Sequence, residues 1–134
     1  MTEISGLFSG HLEFITNKKD FDFNIQLYEL TRQGEYVELA PYWARASHVS
    51  DLSHRRLLKP GKRHRLDFSS MRLMSHLAQA GSRIVAVLSI IKSPERQMNY
   101  GSGKEVSEET VADAGKPLTI EWFDASFIDI PIYK

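Results

Sequence analysis

The chain has 134 residues, 42% hydrophobic and 25% charged, a content that suits one globular unit spanning 1–134 and excludes a chain dominated by disorder or low complexity. Its 17 Lys plus Arg balance 17 Asp plus Glu, so no net charge draws the chain as a whole to nucleic acid or to an anionic membrane. Without cysteine it has no thiol nucleophile, no disulfide and no Cys-ligated zinc.

The start, Met1-Thr2-Glu3-Ile4-Ser5-Gly6, has neither a basic n-region nor an apolar h-region, and no apolar run approaches membrane-spanning length, so a soluble, cytoplasmic protein is expected. Phe8, Gly10, Leu12 and Phe14 alternate with Ser9, His11 and Glu13, and after the connection Asn17-Lys18-Lys19-Asp20 the same period of two runs through Phe21, Phe23, Ile25 and Leu27. Both stretches read as strands with one wet face. The polar break Arg32-Gln33-Gly34-Glu35 joins the second of them to Tyr36-Val37-Glu38-Leu39 as in a hairpin. Lys59-Pro60-Gly61-Lys62 is a turn between Leu57-Leu58 and the alternating Arg63-His64-Arg65-Leu66-Asp67-Phe68.

Residues 71–79 and 105–114 are the only stretches that could be short helices, and neither has the length or apolar stripe of a structural helix. Between them, Ile84-Val85-Ala86-Val87-Leu88 with Ile90 and Ile91 is the longest apolar run, rich in β-branched residues, and reads as a central buried strand. Residues 101–116 form the longest expected loop. Leu118, Ile120 and Trp122 then alternate with polar neighbours, and Phe127-Ile128-Asp129-Ile130-Pro131-Ile132-Tyr133 closes the chain as a strand that Pro131 places at an edge. About seven or eight short strands separated by turns predict an all-β sandwich.

Catalytic and ligand-binding motifs are few. The Gly-x-Ser-x-Gly elbow that lifts a hydrolase serine beside its oxyanion hole is absent, and Gly6-Leu7-Phe8-Ser9-Gly10 has its serine one position out of place. A Ser-His-Asp triad assembled by the fold would have no such elbow to stand on. Gly101-Ser102-Gly103-Lys104 lacks both the earlier glycine and the following hydroxyl of a phosphate loop, so it reads as a flexible loop. Histidines 11, 48, 54, 64 and 76 match no metal-ligand spacing and read as surface residues, with no metal expected. Arg55, Arg56, Lys59, Lys62, Arg63 and Arg65, flanked by His54 and His64, would suit a phosphate-contacting stripe, but a solvated face or one docking on an acidic surface is the commoner use. Tyr42-Trp43, Tyr100 and Trp122 would suit a sugar-stacking platform, with core packing as the ordinary alternative.

The order of several segments resembles that of a known module. Phe8-Ser9-Gly10-His11-Leu12-Glu13-Phe14 looks like its first strand, Asp20-Phe21-Asp22-Phe23 like the Asp-x-Asp-aromatic that starts the next, and Leu27-Tyr28-Glu29-Leu30 with Gly34 like the strand and glycine turn that follow. Tyr42-Trp43-Ala44-Arg45-Ala46-Ser47 resembles its Leu-Arg-x-x-Tyr-Arg segment, Leu58-Lys59-Pro60-Gly61 its Leu-x-Pro-Gly turn, and Ala80-Gly81-Ser82-Arg83-Ile84 its Gly-His-Arg before the buried strand. Ser93-Pro94 and Asn99-Tyr100-Gly101-Ser102-Gly103 are similar to the Pro and Asn-x-x-Thr-Gly beyond it. The module is the C-terminal non-catalytic domain of X-Pro dipeptidyl-peptidase and the CocE/NonD serine hydrolases, among them cocaine esterase and the α-amino acid ester hydrolases. Ser82 for His, Arg32-Gln33-Gly34 for Asp-Gly and Ser102 for Thr mark a divergent branch.

The resemblance implies a jelly-roll β-sandwich like the galactose-binding domains, without a cofactor. It would pack beside an α/β-hydrolase catalytic domain, in cis or in trans, wall the substrate cleft and contribute to subunit contacts, including contacts in a homo-oligomer. The family's catalytic Ser, Asp and His lie in that other domain, so none is carried onto this chain. The expected rim of the interface or ligand surface is Tyr42, Trp43, Arg45, Arg55 and Arg56, and neither nucleic acid nor membrane is expected as a partner. The alternative is an independent carbohydrate- or protein-binding jelly-roll module.

Overall fold

The computed structural model describes residues 1–133. Ten strands follow one another: β1 (Thr2–Gly6), β2 (Ser9–Thr16), β3 (Asp22–Leu30), β4 (Tyr36–Arg45), β5 (Arg63–Ser69), β6 (Met74–Ala78), β7 (Arg83–Ile90), β8 (Ile120–Trp122), β9 (Phe127–Asp129) and β10 (Ile132–Tyr133). Single 3-10 turns at Ala46–His48, Val106–Glu108 and Val111–Ala114 interrupt the connections.

All pairings are antiparallel and build two layers. In the first, β1 and β2 are one bent line broken only at Leu7 and Phe8, with β6 and β5 paired along one side and β10, β9 and β8 along the other. In the second, the order is β4-β3-β7. The inward residues expected from the alternation, Leu12 and Phe14 on β2 and Phe23, Ile25 and Leu27 on β3, are all buried between the layers. The result is the expected β-sandwich.

Rings run through the core as a ladder. Trp122 meets Phe14, Phe14 meets Phe21, Phe21 meets Phe23, and Phe23 meets Tyr42, which stacks on Phe68 at 4.8 Å. Gly10 makes this crossing possible: a Cβ there would lie 2.6 Å from the Phe127 carbonyl oxygen and 2.7 Å from the Phe68 ring. The glycine is required by close approach rather than by a special backbone angle.

The hairpin between β3 and β4 closes as predicted, with Leu30 opposite Tyr36, the Thr31 amide donating to the Glu35 carbonyl at 2.9 Å and Gly34 at φ +86°. β4 continues past Leu39 to Arg45, bulging once between Leu27 and Tyr28 of its partner, and carries Pro41 because it is an edge strand. The Pro60-Gly61 turn also forms, with Gly61 at φ +79° and the Lys62 amide donating to Lys59.

Three expectations are corrected. Residues 71–79 hold a strand, β6, and not a helix: five consecutive residues pair with β1, and Met74 and Ala78 alternate inward against exposed Ser75 and Leu77. Residues 105–114 form two 3-10 turns. The apolar run at 84–91 is a strand, but an edge strand with a half-exposed side, while β3, which alternates, is central. Apolar residues on both faces have the same pattern whether the second face is covered within the chain or left open, so composition alone cannot separate the two.

Glu29, the last inward residue of β3, ties the layers together. Its buried carboxylate accepts from the Ser82 hydroxyl at 2.6 Å and the Gln79 amide at 2.7 Å, and it also bonds the His76 ring on β6. The Ser82 bond first, then His76 and the Gln79 amide, lower its pKa from 4.5 to about 2 despite the opposing effect of burial. A folded-state pKa below the unfolded one gives stability that is fully present above about pH 4.5 and lost as pH falls toward 2. Chemical denaturation at stepped pH checks this: Glu29→Gln lowers stability at neutral pH by about 1–3 kcal/mol, and its profile is flatter than wild type below pH 4.5. An unchanged slope would remove Glu29 from the acid response.

Candidate functional site

The outer face of the β4-β3-β7 sheet follows from the same period of two that builds the core. With Phe23, Ile25 and Leu27 inward, Asp22, Asn24, Gln26 and Tyr28 face out. Register then sets Arg45, Trp43 and Pro41 of β4 beside Asp22, Asn24 and Gln26, and Val87 and Val85 of β7 beside Gln26 and Tyr28. Beyond the bulge, Tyr36 crosses Tyr28 edge to face at 5.6 Å. Tyr36 is 60% exposed, Trp43 46% and Val87 41%, so a sheet face of aromatic and β-branched side chains stands open to solvent.

Polar groups border this face. The Arg45 guanidinium grips Asp22 with two bonds, Nε to Oδ1 at 2.8 Å and Nη2 to Oδ2 at 3.1 Å, and Asn99 donates to the same Oδ1 at 2.8 Å. Arg96 lays its guanidinium 3.8 Å from the centre of the Trp43 ring. Sequence reasoning missed Arg96 and Asn99 because a connection between strands carries no periodicity that says where it folds back.

Trp43 and Arg45 of the expected rim come together here, and the other three residues lie elsewhere. Tyr42 points inward, 8% exposed, and its burial raises the phenol pKa. Arg55 turns toward the chain interior, where it donates to Asp20 Oδ2 at 3.1 Å and to the carbonyls of Gly103 and Lys104. Arg56 is exposed beside Asp51 at 3.7 Å. Arg63 and Arg65 sit on the outer side of the other layer, both on Glu13. The four arginines of the basic cluster are thus divided among three acidic partners.

On that other layer His11 bridges Glu13 at 2.7 Å and Asp67 at 2.6 Å and stacks on Phe127. Asp67 and then Glu13 raise the His11 pKa, and the bond from His11, followed by those from Arg65 and Arg63, lowers that of Glu13 to about 2. Among the described residues no serine hydroxyl bonds a histidine ring, and no group of three or more His, Asp or Glu is placed to hold a metal ion. Among the described residues no helix is long and apolar enough to cross a membrane. The four aromatics considered as a sugar platform form no common plane, since Tyr42 is in the core, Trp43 is capped by Arg96 and Trp122 belongs to the opposite layer.

The fold is an antiparallel β-sandwich module whose polar clusters lock strands together and whose outer β4-β3-β7 face stands open. The family model of the X-Pro dipeptidyl-peptidase C-terminal non-catalytic domain matches residues 1–112, and the chain is a member of that family. β8, β9 and β10 lie beyond the matched residues yet complete the first layer. Among solved structures, an α-amino acid ester hydrolase matches with a TM-score of 0.82 and 17% identity over 98% of this chain, which shows a shared fold. The chain spans 24% of that hydrolase's length. A search of the curated proteins returns no match.

Proposed function

We propose that residues 1–134 form the accessory β-sandwich of a serine hydrolase acting on ester or amide bonds, and that the outer face of β4-β3-β7 packs on its α/β catalytic domain. The observation that carries this reading is the open face of Trp43, Tyr36, Tyr28, Val85 and Val87, bordered by Arg45 and Arg96. Such a patch of aromatic and aliphatic side chains with a charged rim has the composition of an interface centre. Docked this way, the sandwich helps to wall the substrate cleft and contributes to subunit contacts, while the nucleophile and its base reside in the partner. An independent carbohydrate-binding role finds less support, because one face of Trp43 is already occupied by Arg96.

The test pairs this chain with its catalytic half. Alone, it should leave activated esters untouched. Trp43→Asp combined with Val87→Asp, both at exposed positions, should weaken association by about 2 kcal/mol or more, roughly thirtyfold, as loss of an interface anchor does, with little change in the chain's own melting temperature. Turnover by the isolated chain that vanishes on mutating one of its own serines or histidines, or association unchanged in the double variant, overturns the proposal.

A further inference from the structure

A cleft lies where the two layers part, between the end of β7 and the segment leading into β8. Its volume is about 280 Å³, and its walls include Ile90, Met98, Tyr100, Pro117 and Leu118. A second hollow of about 190 Å³ shares Ile90, Lys92 and Leu118 with it and extends toward Ile120 and Trp122. Three lysines are among the cleft's lining residues, Lys18, Lys92 and Lys116, and no Asp or Glu is. Lys18 is engaged by the Ala114 carbonyl. Among the described residues, Lys92 and Lys116 have no carboxylate within ion-pair distance, and of the lysines Lys104 alone is paired, with Asp113.

An apolar trough with an unneutralised cationic lip selects by two physical effects. The walls remove hydrocarbon or aryl surface from water, and the lip favours a negative end over a neutral or positive one. The trough is at the small end of ligand sites, which restricts the body of the occupant to a short chain or a single ring. We infer that this groove binds a small amphipathic carboxylate, its apolar body against Ile90, Met98 and Leu118 and its carboxylate at Lys92 and Lys116. The groove adjoins the border of the Trp43 face at Asn99, but neither assignment depends on the other.

The experiment is calorimetric titration of the chain at low salt with 4-phenylbutyrate, 4-phenylbutanol and 4-phenylbutylamine, with amide chemical-shift mapping of the bound form. The carboxylate should bind about fivefold more tightly than the alcohol, the increment expected of exposed ion pairs, and the amine should bind worst. High salt should shrink the preference for the carboxylate. Shifts should centre on residues 90–92 and 116–120. Lys92→Gln with Lys116→Gln, both at exposed positions, should erase the preference for the acid while the alcohol still binds. Equal binding of acid and alcohol, binding of the amine as tight as that of the acid, shifts mapping elsewhere, a preference that survives in the double variant, or no heat from any of the three at millimolar concentration overturns the inference.

Discussion

Asp20→Ala should destabilise the chain by about 3–5 kcal/mol, the usual result of removing one member of a buried ion pair. The Asp20 side chain is wholly buried. One oxygen accepts from the amides of Phe21 and Ser47, at 3.0 and 2.9 Å, and the other from the Ser47 hydroxyl at 2.8 Å and the Arg55 guanidinium at 3.1 Å. Alanine leaves the Ser47 amide and hydroxyl without this acceptor, and leaves Arg55 a part-buried charge held by the carbonyls of Gly103 and Lys104. Against a total stability of about 5–15 kcal/mol for a domain of this kind, the variant would be near its unfolding threshold. Urea denaturation measures the loss. Arg55→Met in the same background should return part of it, because the orphaned charge disappears while Ser47 stays unsatisfied. A double variant whose loss is the sum of the two single losses would show that the pair is not coupled. The same bond network fastens the connection around Gly103, so Asp20→Ala should also expose residues 102–105 to proteolysis before the strands.

Asp20 and Asp22 show how far the sequence could be read. Asp20-Phe21-Asp22-Phe23 was recognisable as a motif, but residues two apart on a strand share a face, and its two acids part because Asp20 lies ahead of β3: Asp20 turns inward to Ser47 and Arg55, Asp22 outward to Arg45 and Asn99. The alternation itself was visible, since period two is a local property, and so were the turns at Gly34 and Gly61, whose backbone angles favour glycine. Which strand stands beside which was not local. β6 carries too few residues to outweigh a helical reading without knowledge of β1 beside it, and β7 has the composition of a central strand while sitting at an edge. The site was half legible for the same reason. Trp43 and Arg45 are two apart on one strand and necessarily share a face, whereas Arg55 and Arg56 lie in an irregular segment where neighbours in sequence part company. Lys92 and Lys116 are far apart in sequence, and only the closure of the two layers brings them to one groove.

Phe14→Ala should cost about 3–5 kcal/mol, the range for truncating a fully buried aromatic. Phe14 is completely inaccessible, and its ring centre lies 5.3 Å from that of Phe21, 5.4 Å from Trp122 and 5.7 Å from His64. These partners come from β5, β8 and the residue just ahead of β3, so the ring on β2 joins the strands of the first layer to the entry of the second. The cost has two parts: lost burial of the ring, and the void left because strands held by ladders on both sides of β2 cannot close in. Phe14→Leu keeps most of the volume and should lose much less, about 1.5 kcal/mol or under. Trp122, 39% exposed already, reports the change once the second indole is removed by Trp43→Phe: truncation of Phe14 takes away the ring beside it and admits more water, so its emission should move to longer wavelength in Phe14→Ala under conditions where far-ultraviolet circular dichroism still shows folded strands. If Phe14→Ala melts within a degree or two of Phe14→Leu, the void has been filled by movement of β8, and the C-terminal strands are less firmly fixed than the hydrogen bond from the Thr16 hydroxyl to the Thr119 carbonyl implies.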